Sequence, residues 1–392
     1  MRIAYVSPLP PLRTGIADYS AALLPYLARV FDRVDVYATE RSDALADGLD
    51  VHPVGDLPER WRTYDLCVYH IGNNQSFHRS IYELALEYPG VVVLHDYFLH
   101  HLLAGLTIGS GDFRGYLREV AYARGAAGAE LAYEAAVDWA HMPLFDEPLN
   151  SRLIDVSLGV LVHSRYAFRL AKSHHPGARI AYIPAPYGPE MPDDLSRDEL
   201  GLPEGALLVT LAGMPNTAKR TDVVMQAIAA LGSRFPQLRC AVIGDLLQGL
   251  GEPGVQDLDG RLLEIGYVPS LTRFLAFLNA SDVIVNLRYP SVGEASALTL
   301  RAMALGKPVV VSNTGWYADL PSDVCVKLDH TFDDGEDAGR LADALADLLA
   351  HPDATRLMAE RGRSYVQQEH NSERVASEYE AVLRAWRGAL YG

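Results

Sequence analysis

The chain is built from short runs of Val, Ile and Leu that lack strict alternation, separated by segments with helical spacing. A strand with one wet face alternates apolar and polar residues, so unbroken apolar runs point to strands covered on both sides, as in a parallel sheet. In the first half these runs are "RIAYVS" (2–7), "RVDVYA" (33–38), "YDLCVYHIG" (64–72), "VVVLHD" (91–96), "GVLVHS" (159–164) and "RIAYIP" (179–184). The stretch "PAPYGPEMPDD" (184–194), rich in Pro, Gly and Asp, then interrupts the series and reads as a linker. The series restarts with "ALLVTLAG" (206–213), "LRCAVIGD" (238–245), "LLEIGYV" (262–268), "DVIVNLRY" (282–289), "PVVVSN" (308–313) and "VCVKL" (324–328). Such alternation predicts an α/β protein with two Rossmann-like, doubly wound parallel-sheet domains. The length of 392 residues also exceeds what one core usually covers. Two amphipathic helices close the chain: "GRLADALADLLAHP", with Leu341, Leu345, Leu348 and Leu349 on one face, and "NSERVASEYEAVLRAWRGAL".

A formal net charge of −16 argues against nucleic acid or an anionic membrane as a partner. Arg114, Arg118 and Arg124 fall close together and read as a solvated helix face. No run approaches the ~18 apolar residues of a membrane span, and the N-terminal run is too short for a signal peptide. Membrane association is expected to be peripheral at most. Cys67, Cys240 and Cys325 sit singly in apolar runs, as buried small hydrophobes in a reducing cytoplasm.

A dinucleotide-binding domain would place G-x-G-x-x-G after its first strand. Here "SPLPPLRTGIADYS" has one glycine, Gly15, and "GSGDFRG" (109–115) has the wrong spacing. "GMPNTAKR" has Ala218 where a P-loop needs glycine. What remains is a glycine at a strand-to-helix junction in each half. Gly15 is either a plain turn residue or one that lets an anion approach a helix N-terminus. Gly213 follows a strand and Lys219 precedes a helix, a place to meet a phosphate or simply to expose a lysine. Glu294 enters a helix beginning at Ser296, Ala297 and Leu298; it is either an N-terminal helix charge or a ligand grip at the carboxyl end of a parallel strand. Three anion sites over two domains suit a diphosphate held between them, with Glu294 accepting hydroxyls of an attached sugar.

The stretches "PPLRTGIADYS", "VVVLHDYFLHHL", "AGMPNTAKRTD" and "RYPSVGEASALTLRAMALGKPVVVSNTGWYADLP" resemble the family 4 glycosyltransferases, and most of all a bacterial branch that assembles polysaccharides and cell-surface glycans. The resemblance runs over nearly the whole chain. It implies retaining transfer of a sugar, hexosyltransferase-type, from a nucleoside diphosphate sugar to a glycan, lipid-linked or small-molecule hydroxyl acceptor. It also implies the GT-B architecture, two domains facing a cleft, with the last helix crossing back to the first. The boundaries would be 1–188 plus 373–392 on the acceptor side and 189–372 on the donor side.

By the same resemblance Gly15 touches the donor phosphates and His95 projects near the transferred sugar. Lys219 neutralises the diphosphate, aided by the helix N-terminus at Ser296, Ala297 and Leu298. Glu294 holds sugar hydroxyls, and the backbone of Gly266, Tyr267 and Val268 reads the base. Asn216, Arg220, Arg288 and Arg301 are auxiliary candidates. No cofactor or metal is implied; Asp257 and Asp259 form an incidental D-x-D, and His95, His100 and His101 lack a zinc-like arrangement. Two positions depart from the family: Met214 stands where many members have arginine, and Arg301 where many have a ribose-binding glutamate, with Gly293 at the first glutamate's position and Glu294 one place later. A nucleotide-sugar epimerase, a non-catalytic sugar-nucleotide-binding subunit and an NAD-dependent oxidoreductase are the alternatives. The sugar, base, acceptor and oligomeric state carry no readable code.

Overall fold

A computed structural model of the chain describes residues 1–40, 49–137, 142–188, 190–214, 216–247, 258 and 260–391. It divides into two compact units. Unit 1 comprises Met1–Pro186, Val292–Ala295 and His370–Gly392, and unit 2 comprises Tyr187–Ser291 and Ser296–Glu369. The sequence reading placed the divisions after residues 188 and 372; by contacts they fall after Pro186 and Glu369, and the loop Val292–Ala295 counts with unit 1.

Unit 1 holds β1 (Arg2–Val6), β2 (Arg33–Ala38), β3 (Asp50–Pro53), β4 (Leu66–Ile71), β5 (Val91–Leu94), β6 (Gly159–Val162) and β7 (Ile180–Tyr182). These form one sheet in the order β3-β2-β1-β4-β5-β6-β7, and every pair is parallel. Unit 2 holds β8 (Leu207–Ala212), β9 (Leu238–Ile243), β10 (Leu262–Gly266), β11 (Val283–Asn286), β12 (Val309–Ser312) and β13 (Val326–Leu328), in the order β10-β9-β8-β11-β12-β13, again all parallel. The central strands β4, β5, β6, β11 and β12 are buried at every position, whereas the edge strands β3 and β10 are not. Strands covered by helices on both faces have no use for polar residues, which is why their sequences read as unbroken apolar runs.

The helices between strands start where a polar side chain caps them. Asn74, Ser164, Ser270, Ser296 and Asp333 each adopt an extended backbone, and their oxygens accept an N–H of the first turn. The final helix, Ser372–Tyr391, belongs to unit 1 and packs along Gly15–Val30; there the hydroxyls of Tyr19 and Tyr379 meet at 2.6 Å in the core. Among the described residues the crossover from β5 to β6 carries the α-helices His100–Leu106, Phe113–Arg124, Ala126–Val137 and Ser151–Val156. On it Arg114, Arg118 and Arg124 are exposed; Arg118 pairs with the exposed Asp112, whereas Arg124 reaches back to the buried carboxylate of Glu147. No helix among the described residues is long and apolar enough to cross a membrane.

In each sheet the chain winds outward from its first strand in one direction, then in the other. The reversal lies between β1 and β4 in unit 1 and between β8 and β11 in unit 2. Adjacent crossovers leave in opposite directions there, opening a crevice at the carboxyl ends of the strands. In unit 2 this edge is closely built. Gly213 and Gly244 both have positive φ, +131° and +93°, and a Cβ on Gly244 would collide with the Gly213 carbonyl oxygen.

Two glycine substitutions in unit 2 should therefore shift stability in opposite directions. Gly339 lies on the exposed side of the helix Asp334–Ala350, and a Cβ there meets nothing within 4 Å. We expect Gly339→Ala to stabilise by about 0.5–1 kcal/mol in urea unfolding. Gly244→Ala should destabilise by about 1–3 kcal/mol or more. Stability lost in the first or unchanged in the second would contradict this packing.

Candidate functional site

In unit 2 the sheet register gathers the phosphate-site candidates. β8 pairs with β11 through Val209–Val283 and Thr210–Ile284, which sets Ala212 opposite Asn286, about one strand spacing of ~4.8 Å away. Lys219 ends the short 3-10 turn Thr217–Lys219, and its ammonium donates to the Ala212 carbonyl at 3.0 Å. It lies over Gly213, where a Cβ would strike it, so glycine is what lets the lysine fold back onto the strand end. Across the register Asn286 is buried, and its amide donates to Ser296 Oγ (2.8 Å) and Thr299 Oγ1 (2.9 Å). Ser296 Oγ in turn accepts the Thr299 N–H at 3.2 Å, capping the helix Ala297–Ala304. The first-turn N–H groups of Ala297 and Leu298 point out of the helix along its axis, at its positive end. A fixed ammonium and a helix N-terminus thus stand on neighbouring strand ends at the reversal point.

The other candidates in unit 2 fall into distinct surroundings. Gly266, with φ +69°, ends β10, and its carbonyl accepts the Gly244 N–H at 2.7 Å. Tyr267 and Val268 follow on the same carboxyl edge, and Tyr267 is exposed. Asn216 uses its side-chain oxygen to cap the 3-10 turn, accepting the Ala218 N–H at 2.8 Å. Arg220 faces inward, pairing with Asp334 and Asp337 and with His330 Nδ1 at 2.9 Å. It therefore braces the start of Asp334–Ala350. The Arg288 backbone N–H donates to Ser312 Oγ at 2.9 Å. Arg301 sits in the last turn of Ala297–Ala304, and Met214 is exposed beside Gly213. Asp257 and Asp259 lie outside the described residues.

In unit 1 the carboxyl edge is lined by histidines. Leu94 pairs with Ile71 and with Val162, so the next step of the register sets His95 beside Gly72 and His163. His70, two residues before Gly72, shares their face because side chains alternate along strands. His95 Nε2 lies 3.0 Å from His70 Nδ1, and its ring is 5.0 Å from that of His163 and 4.6 Å from that of Tyr19. Tyr19 lies one turn beyond Gly15, the first residue of its helix. A Cβ on Gly15 would meet nothing within 4 Å, and no positive φ requires a glycine there. Glu294 belongs to a loop tied to the residues just after His95. The Tyr97 and Phe98 N–H groups donate to the Val292 carbonyl at 2.7 and 3.1 Å, and Glu294 Oε2 accepts the Val292 N–H at 2.9 Å. Burial, followed by the nearby Glu294 charge, raises the hydroxyl pKa of Tyr166.

Burial, and then the neighbouring imidazoles, holds His70 and His95 well below the usual histidine range. Burial alone dominates at His163, His78 and His100, each pushed down to about 4. The sequence reading singled out His95 but passed over His70, His163 and Asn286. Each is a polar residue at the end of an apolar strand run, and that was the available signal. Among the described residues, one set of three could hold a cation, Asp35, Asp50 and His52. Arg33 already pairs with both carboxylates and Arg60 with the imidazole, so the charge there is neutralised within the protein.

These buried histidines tie stability to pH. They stay neutral in the folded chain but take a proton near pH 6.5 once unfolded, so stability is lost as pH falls from about 6.5 towards 4. We expect urea unfolding at pH 5 to show a loss on the order of 1–2 kcal/mol per buried histidine relative to pH 7. His163→Asn, which keeps a donor for the Ile183 carbonyl, should show a shallower slope; an unchanged slope would contradict the assignment.

The family described as glycosyl transferase-like matches residues 220–381. The D-inositol 3-phosphate glycosyltransferase of Saccharomonospora viridis is 28% identical over 208 residues, covering 49% of this chain and 47% of that relative. The chain spans about half the length of the curated relatives it matches. Among solved structures, HepE from Anabaena in complex with UDP-glucose superposes with a TM-score of 0.67 at 16% identity, covering 98% of this chain and 100% of that one. Sucrose-phosphate synthase from Thermosynechococcus elongatus superposes with a TM-score of 0.65 at 19% identity, covering 99% and 100%. With its two parallel-sheet units, the chain has the GT-B fold of glycosyltransferases, and its residues 220–381 match the glycosyl transferase-like family.

Proposed function

We propose that the protein is a retaining glycosyltransferase that moves a sugar from a nucleoside diphosphate sugar to a hydroxyl acceptor in glycan or glycoconjugate assembly, in a reducing cytoplasm. The observation that carries this reading is the unit 2 reversal point. There Lys219 is held over Gly213 opposite Asn286, and Asn286 fixes the cap of Ala297–Ala304. A cation and a helix N-terminus on adjacent strand ends are what a diphosphate needs.

Breaking the sugar–phosphate bond moves negative charge onto the departing diphosphate. Donors already in place there stabilise the transition state more than the ground state, with no reorganisation at the moment of reaction. In this reading the Lys219 ammonium and the Ala297 and Leu298 N–H groups take up that charge, and the scheme includes no metal. Glu294, its carboxylate steadied by the Val292 N–H, accepts hydrogen bonds from hydroxyls of the transferred sugar. Gly266, Tyr267 and Val268 meet the base. The departing phosphate takes the acceptor's proton on the face it leaves, which gives retention at the anomeric carbon without a separate base.

The donor is sought first with UDP-glucose, the ligand in the HepE complex, then with GDP-, ADP- and dTDP-sugars, reading thermal shift and transfer. D-inositol 3-phosphate, named in the relatives, heads the acceptor panel. With the donor in hand, Lys219→Ala should lower turnover by about 10²–10³-fold while the fold survives. Near-normal turnover would overturn the phosphate assignment. Glu294→Ala should abolish transfer while nucleoside diphosphate affinity is kept; calorimetry showing unchanged affinity for the intact donor would remove its role as a hydroxyl grip.

A further inference from the structure

His95 is the half-buried member of an otherwise buried, uncharged cluster, and its contacts determine which of its nitrogens carries the proton. His95 Nε2 faces His70 Nδ1 at 3.0 Å, so one of the two donates and the other accepts. His70 is fully buried with its ring 4.2 Å from that of Tyr5, and its other nitrogen, Nε2, is buried with no hydrogen-bond partner. If His95 were the donor, the His70 proton would sit on that Nε2 and leave a buried N–H unsatisfied. If His70 is the donor, only a lone pair is left bare. Orphaned buried N–H groups are the rarer of the two in folded proteins. His163 shows the same arrangement: its Nδ1–H donates to the Ile183 carbonyl at 2.8 Å, leaving Nε2 as a bare lone pair.

We propose that His70 is a positioning residue that holds His95 as the neutral Nδ1–H tautomer, so that the outward nitrogen of His95 is a donor and its basic nitrogen is occupied. His95 Nδ1 has no hydrogen-bond partner among the described residues and is not buried. The rings packed around the pair are those of Tyr5 on β1, Tyr19 on the first helix and His163 on the strand end beside β5, with His78 and the Asp96 carboxylate meeting at Gly72 alongside. Burial first, and then the neighbouring imidazoles including His163 and His78, hold both rings well below the usual histidine range. His95 then offers the site one uncharged N–H and no base. On the sugar-transfer reading, on which this role rests, that N–H donates to an oxygen of the sugar undergoing transfer. The tautomer itself does not depend on that reading.

The test is nitrogen-15 NMR of the full chain with labelled histidine at neutral pH, the His95 signals being those lost in His95→Gln. The expected spectrum shows a protonated Nδ1 and an unprotonated Nε2 for His95; a protonated Nε2, or a doubly protonated ring, overturns the proposal. His70→Asn, which keeps an N–H donor near the place of Nδ1, should retain the tautomer. His70→Leu should release it and cut transfer by about 10–100-fold, the range for removing an orienting partner of a histidine. The Nδ1–H tautomer persisting unchanged in His70→Leu would also overturn it. Should His70→Leu fail to fold, the wild-type spectrum still decides. The Nδ1–H tautomer combined with unaltered transfer in His95→Ala would uphold the positioning and instead sink the sugar-transfer role.

Discussion

A parallel sheet forces every crossover back to the same edge, so the strand ends that open into helices all collect on one side. That constraint organises both units of this chain. Where the winding reverses, between β1 and β4 and between β8 and β11, two crossovers diverge and leave a crevice. Everything with chemical interest in unit 2 stands on that edge: Gly213, Lys219, Asn286 and Ser296. The cost of the arrangement is local. Gly213 and Gly244 accept positive φ so that neighbouring strand ends can crowd together and a lysine can lie across the backbone.

Asn286 shows how the scaffold and the site are coupled. It ends a fully buried strand, where an amide must be hydrogen-bonded or the fold loses free energy. Its partners are Ser296 and Thr299, the residues that start the helix aimed into the crevice. Satisfying a buried polar group and orienting a helix N-terminus are one and the same set of bonds. Unit 1 solves a related problem with imidazoles. His70, His95 and His163 line one face of adjacent strands beneath the helices of Tyr19 and Tyr379. Burying them neutral preserves hydrogen-bonding capacity without the far larger cost of a buried charge.

Much of the fold was legible because burial on both faces leaves so direct a trace in sequence. Twelve of the apolar runs fall on twelve of the observed strands. The exception, β3, is a four-residue edge strand, Asp50–Pro53, with exposed and half-exposed positions only, so it has no apolar run to reveal it. Of the β5–β6 crossover only the helix carrying Arg114, Arg118 and Arg124 was read from the sequence. The helix start at Ser296 was legible in the sequence, and the structure shows Ser296 capping it. The direction of Arg220 was not: its partners Asp334, Asp337 and His330 lie over a hundred residues away, and local patterning carries nothing about such pairs. The histidine cluster was hidden for a similar reason, since only the strand order sets β4, β5 and β6 side by side.

The central claim is that the unit 2 reversal point receives a diphosphate. The most direct measurement is the position of the phosphorus atoms in crystals grown with a nucleoside diphosphate. The account predicts phosphate oxygens within hydrogen-bond distance of Lys219 Nζ and of the Ala297 or Leu298 N–H. A diphosphate seated elsewhere on the protein, or no bound nucleotide at saturating concentration, would contradict it.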